Sequence, residues 1–189
     1  MNDPKKPKSS ATREAILQAT SQVILERGVE KLTLDAVAHQ AGVSKGGLLY
    51  HFPSKESLVT GLIHQLRDEF ETKLQEEYDQ DDAPGTPGQW IRAYVRATLR
   101  FNKQLLAIIT HLSNAAATIN PELFEIAREQ EKLWQQKVQE SGIDPVRATI
   151  IQLAIDGLWF SESLGLPSPD ESLRTQVVER LLAMTKESP

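Results

Sequence analysis

The sequence predicts an all-α fold, and three observations carry that expectation. No stretch sustains the period-two alternation of apolar and polar residues that a half-buried strand requires. Helix-starting Ser, Thr and Asp residues, several followed by proline, alternate along the chain with helix-stopping glycines. Finally, Leu58, Leu62, Leu66, Phe70 and Leu74 recur every four residues with Val59 and Ile63 beside them, one apolar stripe on a long helix. About nine helices are expected.

The first helix is expected over residues 12–27, with Thr12 or Ser10 capping its free amides and Gly28 supplying a left-handed stop before Val29. Ile16, Thr20, Val23 and Arg27 mark one face, widened by Leu17 and Ile24. Thr33 caps a short second helix over 34–40, Ala41-Gly42-Val43 turns the chain, and Ser44 caps a third reaching His51. Pro53 forbids continuation, because it lacks an amide proton and clashes with the preceding turn. Ser54 caps the long fourth helix, about 25 residues and hence about 37 Å. Residues 79–88 alone have the composition of a flexible loop. Thr86-Pro87-Gly88-Gln89 then reads as a capping box opening a fifth helix lined by Trp90, Tyr94, Ala97 and Phe101. A sixth is expected over 103–118. Asn120-Pro121 opens a seventh ended by Gly142, and Asp144-Pro145 opens an eighth that ends near Gly165. Ser168-Pro169-Asp170-Glu171 reads as a second capping box, for a ninth.

Composition narrows the function classes. At 189 residues, 40% apolar and 25% charged, the chain is an ordinary globular protein of one or two domains. It has no cysteine, which excludes a disulfide framework and a thiolate metal site. The longest apolar run, near 150–160, is interrupted by Gln152 and Asp156, so no membrane contact is expected. The polar, lysine-rich start shows no secretory signal, and a cytoplasmic location is expected. The net charge of −5 conceals an asymmetry. Residues 1–55 carry eight Lys or Arg against five acids, so a polyanion would meet the N-terminal part. An enzyme is not expected. There is no Gly-x-Ser-x-Gly elbow, no phosphate-cradling glycine loop and no His-x-x-x-His pair, and His39, His51, His64 and His111 are scattered. No cofactor or metal is implied.

Residues 33–52, TLDAVAHQAGVSKGGLLYHF, describe two short helices crossing closely. Ala38 is small where they meet, Gly42 can take a positive φ in the turn, and Val43 and Leu48 fill the wedge. Such a unit presents its second helix, 44–51, to the major groove. Alone, an Ala-x-x-x-Gly spacing is weak. The longer string, from Val43-Ser44-Lys45-Gly46-Gly47 through Leu48-Leu49-Tyr50-His51-Phe52 to Lys55-Glu56-Ser57-Leu58, resembles the signature of the tetracycline-repressor (TetR) family. That pattern has a glycine-valine turn, a short recognition helix ending in Tyr-x-Phe, and a lysine opening the next helix. Thr12-Arg13-Glu14-Ala15-Ile16-Leu17 and Leu32-Thr33 match its first two helices, and the nine-helix layout extends the likeness along the chain.

The resemblance implies a DNA-binding transcriptional regulator, a repressor released from a palindromic operator by a small-molecule effector and acting as a homodimer on double-stranded DNA. Residues 1–55 would be the helix-turn-helix domain and 56–189 the effector and dimerisation domain. Thr33 stands at a helix N-terminus, which favours a phosphate. Ser44 and Lys45 lie at the leading edge of the recognition helix, and Tyr50 and His51 at its far end. The resemblance has Tyr50 and Lys55 gripping backbone phosphates. Gly46 and Gly47 each cost a helix about 1 kcal/mol relative to alanine, and the compensation is either packing by Val43, Leu48 and Phe52 or close approach of the backbone to DNA. Residues 145–164 are apolar on nearly every side. By resemblance they pair with the ninth helix and with their twins in a four-helix dimer interface, expected at Ile151, Ile155, Gly157, Leu158, Val177 and Leu181. The resemblance also implies an effector cavity, for which Trp90, Tyr94, Phe101, Ile108, His111, Asn114, Trp134 and Trp159 are the candidates. His111 and Asn114 would be its polar groups.

Overall fold

The computed structural model describes residues 6–101 and 122–187. Among these the regular structure is helical throughout: α1 (Lys6–Arg27), α2 (Leu34–Ala41), α3 (Lys45–His51), α4 (Lys55–Asp79), α5 (Gln89–Arg100), α6 (Glu122–Gln139), α7 (Pro145–Ser163) and α8 (Glu171–Met184). A 3-10 turn, Val29–Lys31, follows α1. The all-α expectation holds. The helix expected over 103–118 and the Asn120-Pro121 start lie outside the described residues. The chain divides into two compact units; one runs to Arg67 and the other resumes at Asp68, so α4 contributes to both.

The core of the first unit is built from Ile16, Leu17, Val23 and Ile24 of α1, Val37 and Ala38 of α2, and Leu48 and Phe52 at α3. Leu58, Val59, Leu62 and Leu66, the first half of the α4 stripe, close it. α1 begins at Lys6, six residues before the expected start, so neither Ser10 nor Thr12 is its cap. Pro7 falls in its first turn, where a missing amide proton leaves no hydrogen bond unmade. Gly28 stops the helix with a φ of 79°, but its ψ of 164° extends the chain rather than curling it left-handed. Gly61 of α4 was not anticipated as a packing residue. A Cβ there would lie 2.6 Å from Cε1 of Phe52, so the glycine is the notch in which that ring sits.

The second unit packs α5 against α7 and α8, with Phe70 and Leu74 from the later half of α4 and Val138 of α6. Asp144 and Pro145 start α7 as expected: the Asp144 carboxylate accepts from the Arg147 amide at 2.8 Å. Both anticipated hydroxyl capping boxes are corrected. At α8 the cap is Asp170, whose carboxylate accepts from Leu173 N at 2.9 Å, two residues beyond Ser168. A charged acceptor binds free helix amides more strongly than a hydroxyl does. At α5 the helix begins at Gln89 behind Gly88, with no side-chain cap.

The reason lies one turn into α5. Arg92 is wholly buried, and its guanidinium gathers the loop around itself. It donates to both Asp81 oxygens, to the carbonyls of Pro87 and Ala83, and to Thr86 Oγ1, at 2.7–3.1 Å. Thr86 is thereby drawn away from the cap position. Gln89 does reach back, but to Gly85 N at 2.7 Å. Burial pushes the Asp81 carboxyl up, and hydrogen bonds from Arg92, Arg96 and the Ala83 amide more than reverse it, holding it at about 2.

Candidate nucleic-acid interface and effector region

The two short helices are joined as their sequence demands. Thr33 Oγ1 accepts from Ala36 N at 3.1 Å and opens α2. Gly42 takes the left-handed conformation, φ 65° and ψ 29°, and Val43 N donates to Ala38 O to close α2. Ser44 Oγ accepts from Gly47 N at 3.1 Å and opens α3. Leu48 is fully buried and Phe52 nearly so, with Arg13 placed 5.2 Å above the Phe52 ring. α3 is therefore pinned by one side and turns the other to solvent.

That outer side carries Ser44, Lys45, Gly46, Leu49 and Tyr50. Tyr50 is 82% exposed, and its ring meets His51 edge-on at 5.1 Å. A methyl at Gly46 would meet nothing within 4 Å, and one at Gly47 only Ser44 Oγ at 3.2 Å. Neither glycine has a positive φ. Among the described residues nothing requires glycine at position 46, whereas a Cβ at 47 would press on the hydroxyl that caps α3. Lys45 Nζ pairs with the Asp35 carboxylate at 2.9 Å, both side chains largely exposed. Lys55 Nζ donates to Val29 O at 2.9 Å, which leaves two of its ammonium protons for another acceptor. Thr33 is exposed and Lys55 half-buried on the same unit. Leu49, 39% exposed, was missed, because a leucine in a helix reads as core unless its neighbours are known.

In the second unit four of the candidate effector residues cluster around Phe70. Trp90 stacks on Tyr94 at 5.3 Å, Tyr94 meets Phe70 and Trp134 edge-on at 5.9 Å, and Phe101 meets Phe70 at 5.3 Å. Ile108, His111 and Asn114 lie outside the described residues. The polar group that the structure brings to this cluster is Asp156, whose Oδ1 accepts from the Tyr94 hydroxyl at 2.8 Å. Burial pushes the Asp156 carboxyl up to about 6, opposed by the Tyr94 bond and aided by the charge of Glu131. Burial, and then Asp156, raise the Tyr94 phenol in turn. Among the described residues, the buried polar atoms without a hydrogen-bond partner include the Trp159 indole nitrogen, three residues from Asp156, and the Thr98 hydroxyl, one turn from Tyr94. Asp156 had a signal in the sequence, since it interrupts the longest apolar run.

Comparison with known proteins settles the family. Residues 88–186 match the family described as "Tetracyclin repressor-like, C-terminal domain", and residues 16–62 match "Bacterial regulatory proteins, tetR family". The chain belongs to the TetR family. It is 44% identical over 62 residues to the HTH-type transcriptional repressor BepR of Brucella suis, covering 33% of this chain and 30% of that one. It is 35% identical over 94 residues to the HTH-type transcriptional regulator RutR of Escherichia coli, covering 50% and 42%. The matched segments thus span less than half the length of these two relatives. A solved transcriptional regulator from Rhodococcus sp. Rha1 shares the fold at a TM-score of 0.71 and 23% identity, over 94% of this chain and 99% of that one.

For a TetR-family regulator, the last two helices are where a partner subunit is sought. Of the six interface candidates, Ile151, Ile155, Leu158 and Leu181 are covered by their own chain, Val177 is partly so, and Gly157 is exposed. The open apolar residues of α7 are Val146, Ile150, Leu153 and Phe160, with Leu164 just beyond it and Leu173 on α8. With Gly157 they are spaced by four, three, four, three and four, a seam of the kind that pairs helices. Among the described residues, no helix is long and apolar enough to cross a membrane.

Proposed function

We propose that this TetR-family chain is a homodimeric, effector-responsive repressor that sets α3 of each subunit into the major groove of a palindromic operator. The observation that carries this reading is the solvent side of α3. It pairs an exposed helix-weakening glycine, Gly46, around which a Cβ would meet nothing within 4 Å, with an exposed tyrosine and a lysine. Bare backbone of this kind suits close approach to another backbone, and the basic balance of residues 1–55 suits a polyanion. In this reading Ser44 and Lys45 meet base edges or phosphates. Thr33, Tyr50 and Lys55 hold phosphates, His51 flanks them, and Gly46 and Gly47 give the clearance.

The dimer seam is Val146, Ile150, Leu153, Gly157 and Phe160, with the buried Ile151, Ile155, Leu158 and Leu181 backing it from inside. Two-fold pairing sets the recognition helices about one helical turn of DNA apart. The effector region is centred on Trp90, Tyr94, Phe101 and Trp134. Asp156 offers a carboxylate, Thr98 and Trp159 offer polar atoms without a partner among the described residues, and Ile108, His111 and Asn114 remain candidates from the sequence. Coupling between effector and operator runs along α4, whose Leu58, Leu62 and Leu66 pack in one core and whose Phe70 and Leu74 pack in the other. A differential binding energy of about 1–3 kcal/mol weakens operator affinity several-fold to a hundred-fold. A cytoplasmic setting fits this role.

The test is selection of duplexes from a random pool by the purified protein, followed by a salt titration on the recovered sequence. A palindrome, bound with affinity that falls steeply as salt releases phosphate contacts, is the expected result. Absence of any sequence preference would favour a helical ligand carrier instead.

A further inference from the structure

On the outer side of α3 the groups that can hydrogen-bond a base or a phosphate are Ser44 and Lys45 at its leading edge, each with a partner in the free chain, Gly47 N and the Asp35 carboxylate. The Tyr50 and His51 rings are set against each other. This side also presents a leucine. Leu48 beside it is wholly buried, whereas Leu49 is 39% exposed, one turn from Lys45 and Gly46 and therefore on their face of the helix. Helical side chains lean toward the N-terminus of their helix. Leu49 thus leans toward the turn at Lys45 and Gly46, where nothing lies within 4 Å of the position a Cβ of residue 46 would take. That turn is the leading edge of a helix entering a groove.

The base edges of the major groove carry donors, acceptors and a single apolar group, the C5-methyl of thymine. An aliphatic side chain gains from burial only against that group. We propose that Leu49 is a specificity-determining residue that seats against a thymine methyl, requiring an A·T pair at one fixed position of each operator half-site. The inference rests on the reading that α3 enters the major groove. The open face over Gly46 is what lets the short leucine reach.

Deoxyuridine differs from thymidine only in lacking that methyl, so it isolates the contact. On the operator recovered by selection, each thymine is replaced singly, symmetrically in both half-sites, and affinity is measured by fluorescence anisotropy for wild type, Leu49→Ala and Leu49→Met. At one position the wild-type protein should lose about three- to tenfold per half-site, the range for one buried methyl or methylene contact. Leu49→Ala should lose a similar factor on the thymine operator and show no further loss with deoxyuridine, while Leu49→Met should stay sensitive. Non-additivity of this kind marks a direct contact. If no thymine is sensitive, or if wild type and Leu49→Ala respond equally, Leu49 does not read thymine although the protein binds DNA. If no duplex is preferred by any of the three proteins, the groove-binding reading itself is wrong.

Discussion

At Gly46 a side chain would meet empty space, and the backbone there is ordinary helix. Alanine is therefore expected to stabilise the free protein by about 1 kcal/mol, through helix propensity alone. If the bare position serves DNA, the same Gly46→Ala change weakens operator binding at least several-fold. Thermal melts and anisotropy on one preparation separate the two effects, and a stabilised protein with unchanged affinity would remove close approach as the explanation. Asp156 offers a second residue-level test. Its carboxyl is raised from an ordinary value of 3.8 to about 6, so the folded state holds a proton more firmly than the unfolded chain. The sign follows: this residue makes the protein less stable as pH rises from about 4 to about 6, and the deficit persists above that. Asp156→Asn keeps an acceptor for the Tyr94 hydroxyl and carries no charge. It should melt above wild type at pH 7.5 and near it at pH 4; an equal shift at both values would show that desolvation of the charge is not the cause.

Among the elements, the legible and illegible parts of the sequence divide by range. The ends of α2 and α3 were legible because Thr33, Gly42 and Ser44 act on amides and carbonyls within four residues of themselves. The five-residue stripe on α4 was legible for the same reason. The start of α5 was not. Thr86 belongs to a local pattern, yet a guanidinium six residues on recruits it into a shell that also needs Asp81. Gly61 and Phe52 likewise meet only across the fold. Among the candidate site residues, the exposed positions of α3 were anticipated except Leu49, whereas Asp156 and the open apolar residues of α7 depend on which side of a doubly apolar helix the chain itself covers. The Arg92–Asp81 pair makes the long-range term measurable. Both side chains are fully buried, so Asp81→Asn strands a guanidinium charge and should destabilise by about 3–5 kcal/mol. Because Asp81 is held at about 2, the stability it contributes is complete above about pH 4 and is lost as pH falls toward 2. Urea titrations from pH 5 to pH 2.5 should show wild type converging on Asp81→Asn; parallel curves would assign the acid loss to other groups.

In the proposed function, operator reading takes two copies of a seven-residue helix held at a fixed spacing, which would make the proposed dimer seam as necessary to DNA binding as α3 itself. Leu153 stands at the centre of that seam, exposed in the single chain, with Ile150 and Gly157 one turn to either side. Leu153 is 66% exposed, so a glutamate there keeps its carboxylate in water in the single chain, and the monomer should fold and melt cooperatively. Across a two-fold seam, however, it would bury a charge against apolar residues or face its own copy, and either disfavours pairing strongly. Leu153→Glu is therefore expected to sediment as a monomer and to lose operator affinity by two orders of magnitude or more, since one half-site contributes only part of the contacts. Its weak non-specific attraction to DNA should persist, because the basic N-terminal part is untouched. Gly157→Leu probes the same seam by bulk rather than charge, and should weaken the dimer without altering the monomer's fold. A Leu153→Glu protein that stays dimeric would move the interface elsewhere on the chain, and a monomeric one that still binds the full palindrome tightly would mean that a single α3 suffices.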